Sequence, residues 1–167
     1  HTNLDASVSG TWAALLELLG AENARPLADF PCGGMGEMTP PVPGAEMAER
    51  LKRVLGSERI LSVGPMPDKV RFVAAATGAG ADAIDAAQAE GAQLLITGEM
   101  KYHEALPASF GKVWILEAGH YETERPVLQK LITYLQFRAD RVQSKVEFFL
   151  SQVQEAPEKA LKPGMEG

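Results

Sequence analysis

The chain predicts an α/β fold with a layered, mostly parallel sheet and helices on its faces. Three observations lead there. Apolar runs at 70–76, 94–96 and 113–116 have the pattern of strands buried on both faces of such a sheet. The second and third runs end at small or polar turns, Thr97-Gly98-Glu99 and Glu117-Ala118-Gly119, and a helical pattern follows each. From Val70 onward the elements alternate βαβαβαβ, the order that puts crossover helices against a parallel sheet.

Taken in order, residues 1–6 read as the end of a strand running into a turn. Ser7 or Ser9 is placed to cap a helix over 10–19, apolar on Trp12, Leu15, Leu16 and Leu19 and stopped by Gly20. Residues 21–44, with Cys32-Gly33-Gly34-Met35-Gly36 and Pro40-Pro41-Val42-Pro43, read as an irregular surface loop and extended connector, with a binding loop as the alternative. A helix over 45–55 ends at Gly56, and strands follow at 59–63 and 70–76 around a turn at 65–68. The turn Thr77-Gly78-Ala79-Gly80-Ala81-Asp82 leads into an alanine-rich helix over 82–90. Its small residues either cradle a phosphate, with Thr77, Gly78 and Gly80 as the candidates, or serve tight strand-to-helix packing. The third glycine of a dinucleotide fingerprint and the lysine of a P-loop are both missing.

The last helix is expected from Glu122 or Thr123 to 138, with Pro126 in its first turn, where a missing N–H costs nothing. Residues 142–150 read as a final strand, parallel or an antiparallel edge, and 152–167 as a flexible tail. The expected organisation is one α/β domain over 1–151, with 1–44 belonging to a first half and 45–151 forming the second.

Composition bounds the function. The 167 residues are 46% hydrophobic and 23% charged, enough for one domain, or one domain and an arm. Net charge is −6 and the pI about 5.1, which argues against general nucleic-acid binding or an anionic membrane surface, since both need a basic face. One cysteine, Cys32, makes no internal disulfide, so the chain reads as cytoplasmic. No apolar run approaches the roughly 20 residues that span a bilayer. The chain opens on His1, inside a polar motif, as expected of a piece of a longer protein.

In open α/β sheets ligands sit beyond the carboxyl ends of the strands. The polar residues expected there are Thr97, Glu99, His103, Glu117, His120 and Glu124. His120 and Glu124 are four apart, so a helix presents both on one face. That pair either shares a metal ion or makes an ordinary solvated contact.

Four stretches, HTNLDA, TGAGAD, LLITGEMKYHEAL and AGHYETERPVL, together resemble the Nif-three-like dinuclear metal-centre family, whose bacterial members are labelled GTP cyclohydrolase I type 2 homologues. The resemblance runs from His1 to about Ser151. It implies a layered α/β fold, toroidal homohexamers and a two-metal site. By resemblance, Asp5, His120 and Glu124 are metal ligands, with Glu124 bridging both ions. Glu99 and His103 resemble pocket-lining residues and are the catalytic candidates, His103 as a proton shuttle or substrate contact; a plain helix-surface histidine is the alternative. His1 would orient Asp5 from outside the ligand set. The family's remaining ligands, two adjacent histidines upstream, have no counterpart here, so the site is expected to be incomplete in this chain. Gly10-Thr11 stands where members carry Gly-x-Asn, and the Cys32–Gly36 segment lacks the family's arginine.

Mixed histidine and carboxylate ligands suit zinc, manganese or iron. Two such ions about 3.5–4 Å apart activate a shared water and clamp an oxyanion. The expected activity is therefore metal-dependent hydrolysis of a small, nucleotide-like substrate. A non-enzymatic metal-binding regulator or scaffold and a nucleotide-binding module built on 77–82 are the alternatives.

Overall fold

The apolar runs form the centre of the sheet, as their two-sided burial requires. The computed structural model describes residues 1–57, 59–153 and 156–157. Strands β4 (Lys69–Ala76), β5 (Leu94–Thr97) and β6 (Trp114–Glu117) are parallel neighbours. Successive side chains divide between two cores with period two. Val73, Ala75, Leu94, Ile96, Trp114 and Leu116 face one core. Ala74, Ala76, Leu95 and Ile115 face the other. Helices α2 (Thr11–Leu18) and α3 (Gly44–Leu55) bring Trp12, Leu15, Leu16, Met47 and Leu51 to the first core. The second is covered by Ala83, Ala86 and Ala87, from a 3₁₀ turn (Ala81–Ala83) and α4 (Ile84–Ala89), and by Ala108 of α5 (Tyr102–Ala108). The alanines keep this layer thin.

The α/β class holds, and the sheet is mixed. Its order is β1-β2-β4-β5-β6-β3. The segment 21–44 is not a surface loop. It folds into β1 (Glu22–Leu27) and β2 (Phe30–Pro43), antiparallel to each other, and β2 is antiparallel to β4. Its glycines and prolines are positional rather than disruptive. A β-carbon on Gly34 would lie 2.1 Å from a ring carbon of the buried Trp12, so only glycine lets β2 pass beneath the indole. Pro40 and Pro41 fall where the β2–β4 register shifts between Glu37 and Val42, a place where a missing N–H is tolerated. The hairpin turn is tied to the end of α4 through Glu90. Its carboxylate accepts the Ala28 N–H at 2.7 Å and pairs with Arg25. Burial pushes the Glu90 carboxyl up, but the Ala28 N–H and Arg25 outweigh it, and its pKa lies below the usual carboxylate value.

Other elements depart locally from expectation. Residues 1–6 hold a short helix, α1 (Thr2–Asp5), rather than a strand end. Gly10, not Ser7 or Ser9, is the N-cap of α2, and no side-chain cap bond is made. A β-carbon at Gly10 would lie 1.8 Å from the Leu4 carbonyl oxygen, so α1 can turn back onto α2 only over a glycine. The strand expected at 59–63 is β3 (Leu61–Val63), antiparallel to β6. The last helical region begins earlier than expected, as α6 (His120–Glu124), and continues as α7 (Pro126–Arg141). No strand forms over 142–150: Gln143 takes a positive φ of 52°, and the segment pairs with neither sheet edge, β1 or β3. A strand without a partner has no ladder to join. The tail expected over 152–167 lies largely outside the described residues. Among the described residues no helix is long and apolar enough to cross a membrane.

Two outcomes follow from this packing. Gly34→Ala should destabilise the protein by about 3 kcal/mol, the upper end of overpacking costs, as measured by urea unfolding; an unchanged midpoint would refute the Trp12 contact. Glu90→Gln should lower stability at neutral pH. Because the folded carboxyl titrates below its unfolded value, wild-type stabilisation is present above the ordinary carboxylate range and is lost as pH falls through the depressed value. Thermal melts of the two proteins should therefore converge in acid.

Candidate metal centre

The three central strands end level. Ala76 pairs with Thr97, and Thr97 with Glu117. Each is followed within two residues by a glycine: Gly78 (φ +66°), Gly98 and Gly119 (φ +92°). The turns hydrogen-bond to one another. Gly98 and Glu99 donate their N–H groups to the Gly78 carbonyl at 2.9 and 3.0 Å, and Gly119 donates to the Gly98 carbonyl at 2.9 Å. Two fully buried threonines complete the lacing. The Thr97 hydroxyl accepts the Gly80 N–H at 3.0 Å and lies 3.3 Å from the Gly78 carbonyl as donor. The Thr123 hydroxyl accepts the Gly78 N–H at 3.2 Å and donates to the Gly119 carbonyl at 2.8 Å.

This lacing sets His120 and Glu124 over Gly78. His120 Nε2 lies 3.1 Å from Glu124 Oε1, one helical turn away on α6. A β-carbon on Gly78 would come within 2.6 Å of Glu124 Oε1 and 3.1 Å of His120 Nε2, so the glycine leaves the floor open. On the other edge of the ring, Glu99 Oε1 is 3.3 Å from Nδ1. The imidazole is thus flanked by two carboxylates. Partial burial pulls its pKa down, but Glu99 and Glu124 outweigh that and hold it above the usual histidine value. Glu117, at the end of β6, has its pKa raised by burial, although the Met100 N–H it accepts and the nearby Arg59 work the other way.

Of the residues expected at the site, the structure brings Glu99, His120 and Glu124 together. Among the described residues, no hydrogen bond or ion pair joins His103, on α5, to them. His1 is exposed at the N-cap of α1. Asp5 is on the neighbouring α1, where it accepts a hydrogen bond from Thr11 at 3.2 Å; α2, which carries Thr11, packs against α6. The phosphate cradle expected at Thr77, Gly78 and Gly80 meets an obstacle. The Gly78 and Gly80 N–H groups point to the Thr123 and Thr97 hydroxyls, and both glycines are buried. The tight-packing alternative describes that turn. Thr123 was not anticipated, because a threonine between two glutamates reads as an ordinary polar helix residue until its burial is seen.

One imidazole and one carboxylate over an open floor suit zinc, manganese or iron as part of a coordination set. They are not a whole set: among the described residues no three His, Cys, Asp or Glu side chains are grouped to hold an ion. An open cleft of about 410 Å³ lies alongside, between the 79–82 and 99–104 segments, with Asp82, Glu99, Lys101 and Glu104 in its lining.

The family model for Duf34/NIF3 (NGG1p interacting factor 3) matches residues 1–157. A Clostridium perfringens protein named "GTP cyclohydrolase 1 type 2 homolog" is 30% identical over 163 residues, 94% of this chain and 61% of that protein. An Escherichia coli K12 protein of the same name is 33% identical over 144 residues, covering 84% of this chain and 56% of that one. The chain therefore spans under two thirds of these relatives. The crystal structure of the Staphylococcus aureus hypothetical protein SA1388 superposes with a TM-score of 0.88 over 96% of this chain and 67% of that chain; at 20% identity it speaks for the fold alone. With a family model matched almost end to end, and with relatives at this identity, the chain belongs to the Duf34/NIF3 family.

Proposed function

We propose that this protein binds divalent metal, two ions in the complete site, and acts as a metal-dependent hydrolase on a small, nucleotide-like substrate. The observation that carries the reading is the His120 Nε2–Glu124 Oε1 pair, 3.1 Å apart over the missing β-carbon of Gly78. His120 and Glu124 would hold metal, and Asp5, on the helix beside α2, would be a further ligand. Zinc, manganese or iron bound there would polarise a carbonyl or phosphoryl oxygen, making the attached carbon or phosphorus more electrophilic, and would lower the pKa of bound water. The chain's own residues supply the rest. Thr97 and Thr123 hold the turns rigid, the cleft beside Glu99 admits the substrate, and Glu99 faces the histidine. The substrate class is drawn from the relatives' name, "GTP cyclohydrolase 1 type 2 homolog". The homohexamer implied by the sequence resemblance, and the cytoplasmic location read from the single cysteine, belong to the same reading.

A second reading, a metal-binding regulator or scaffold without catalysis, draws on one observation: His103, the expected proton shuttle, is exposed on α5 and makes no hydrogen bond or ion pair with the cluster. Turnover separates the two.

Isothermal titration with Zn²⁺ should give saturable binding to the wild type. Glu124→Ala should weaken it by more than about 100-fold, beyond the 10–100-fold typical of losing a group that only supports a ligand. Equal affinities in the two proteins would refute the site. With Mn²⁺ added, hydrolysis of a nucleotide panel should be abolished by a chelator and by Glu124→Ala. Metal binding without turnover on any member would favour the regulator.

A further inference from the structure

We infer that Glu99 is a positioning residue for His120: it holds the Nδ1 edge of the imidazole, so that Nε2 is the nitrogen presented beside Glu124. The inference rests on the metal-binding reading above and adds a role for a carboxylate that the sequence suggested as catalytic.

The geometry divides the ring cleanly. Nε2 has Glu124 Oε1 at 3.1 Å, and Nδ1 has Glu99 Oε1 at 3.3 Å. A histidine that ligates metal through one nitrogen keeps a proton on the other and donates it to a carboxylate, carbonyl or water, which fixes both tautomer and ring orientation. Only Nε2 shares the open floor over Gly78, where a β-carbon would lie 3.1 Å away. Nδ1 faces Glu99. The 3.3 Å separation is an ion-pair distance, longer than a well-formed charged hydrogen bond, so the contact guides the ring rather than clamping it.

Glu99 is itself placed by backbone. Its N–H and that of Gly98 both reach the Gly78 carbonyl, and the next N–H, Met100, reaches the Glu117 carboxylate at the end of β6. Three successive N–H groups are thereby anchored to the turns after β4 and to β6. Gly98 cannot be larger, because a β-carbon there would lie 2.8 Å from His120 Cα. The turn that carries Glu99 is therefore packed directly against the residue that Glu99 orients. Of the two carboxylate oxygens, Oε1 is the one set against the ring.

The test uses the full chain labelled with ¹⁵N-histidine, which reports three residues: His1, His103 and His120. In the Zn²⁺-loaded wild type, His120 should show an Nδ1–H resonance protected from solvent exchange, while the exposed His1 and His103 serve as internal references. Glu99→Ala should lose that protection and weaken Zn²⁺ about tenfold by isothermal titration. The lower end of the usual 10–100-fold range is expected because the Glu99 side chain is 57% exposed. Glu99→Gln, whose amide oxygen still accepts from Nδ1, should restore the protected signal. Asp85→Asn, exposed on α4 and outside the cleft lining, should match the wild type in both readouts. Unchanged Zn²⁺ affinity and a protected Nδ1–H in Glu99→Ala would overturn the positioning role while leaving the metal site standing. Failure of the wild type to bind Zn²⁺ would overturn the site itself, and this role with it.

Discussion

Everything at the candidate site depends on how the ends of β4, β5 and β6 are finished. Three parallel strands that stop level leave N–H and carbonyl groups in a crowded, water-poor layer. Each such group left unpaired costs about 1–3 kcal/mol. Here the turns pair with one another, and the Thr97 and Thr123 hydroxyls bridge what the backbone cannot reach. The arrangement closes only with glycine at 78 and 98, since a β-carbon at either would run into a neighbouring turn or into His120 and Glu124. The same condition that satisfies the backbone therefore delivers an imidazole and a carboxylate to an open floor.

Charge then acts on that frame. His120 sits between Glu99 and Glu124, and the two carboxylates outweigh the partial burial that would otherwise favour the neutral ring. Glu117, at the end of β6, also has its pKa raised, in its case by burial, and accepts the Met100 N–H. More carboxylate than cation in one cluster is the electrostatic basis of the proposed divalent-metal reading. The chain covers 61% and 56% of the lengths of two relatives.

The flanks of the sheet are built by different means. On one side the β1–β2 hairpin relies on absence: Gly34 gives way to the Trp12 ring, and prolines stand where the ladder is already broken. On the other, β3 is only three residues long and caps β6. The hairpin is joined to the α4 layer by Glu90, whose carboxylate takes the Ala28 N–H and Arg25 together. This carboxylate adds a side-chain tie to the β2–β4 ladder, which already joins the antiparallel flank to the parallel core.

By itself the sequence determined the parallel centre and the face shared by His120 and Glu124. Continuous apolar runs such as Leu94–Thr97 have few other ways to be buried, and the four-residue spacing places two side chains together on any helix. It also carried the motifs that identify the family. Only the tertiary structure decided that 21–44 is a hairpin, because glycine and proline signal loops locally and become strand residues only when an indole and a register shift are there to receive them. It alone separated Glu99, which meets the ring of His120, from His103, four residues further on, which makes no such contact. And it alone showed the Gly78 and Gly80 N–H groups engaged by threonines distant in sequence, Thr123 and Thr97. Those distinctions rest on contacts between segments 17 to 45 residues apart, and no local pattern of residue types encodes them.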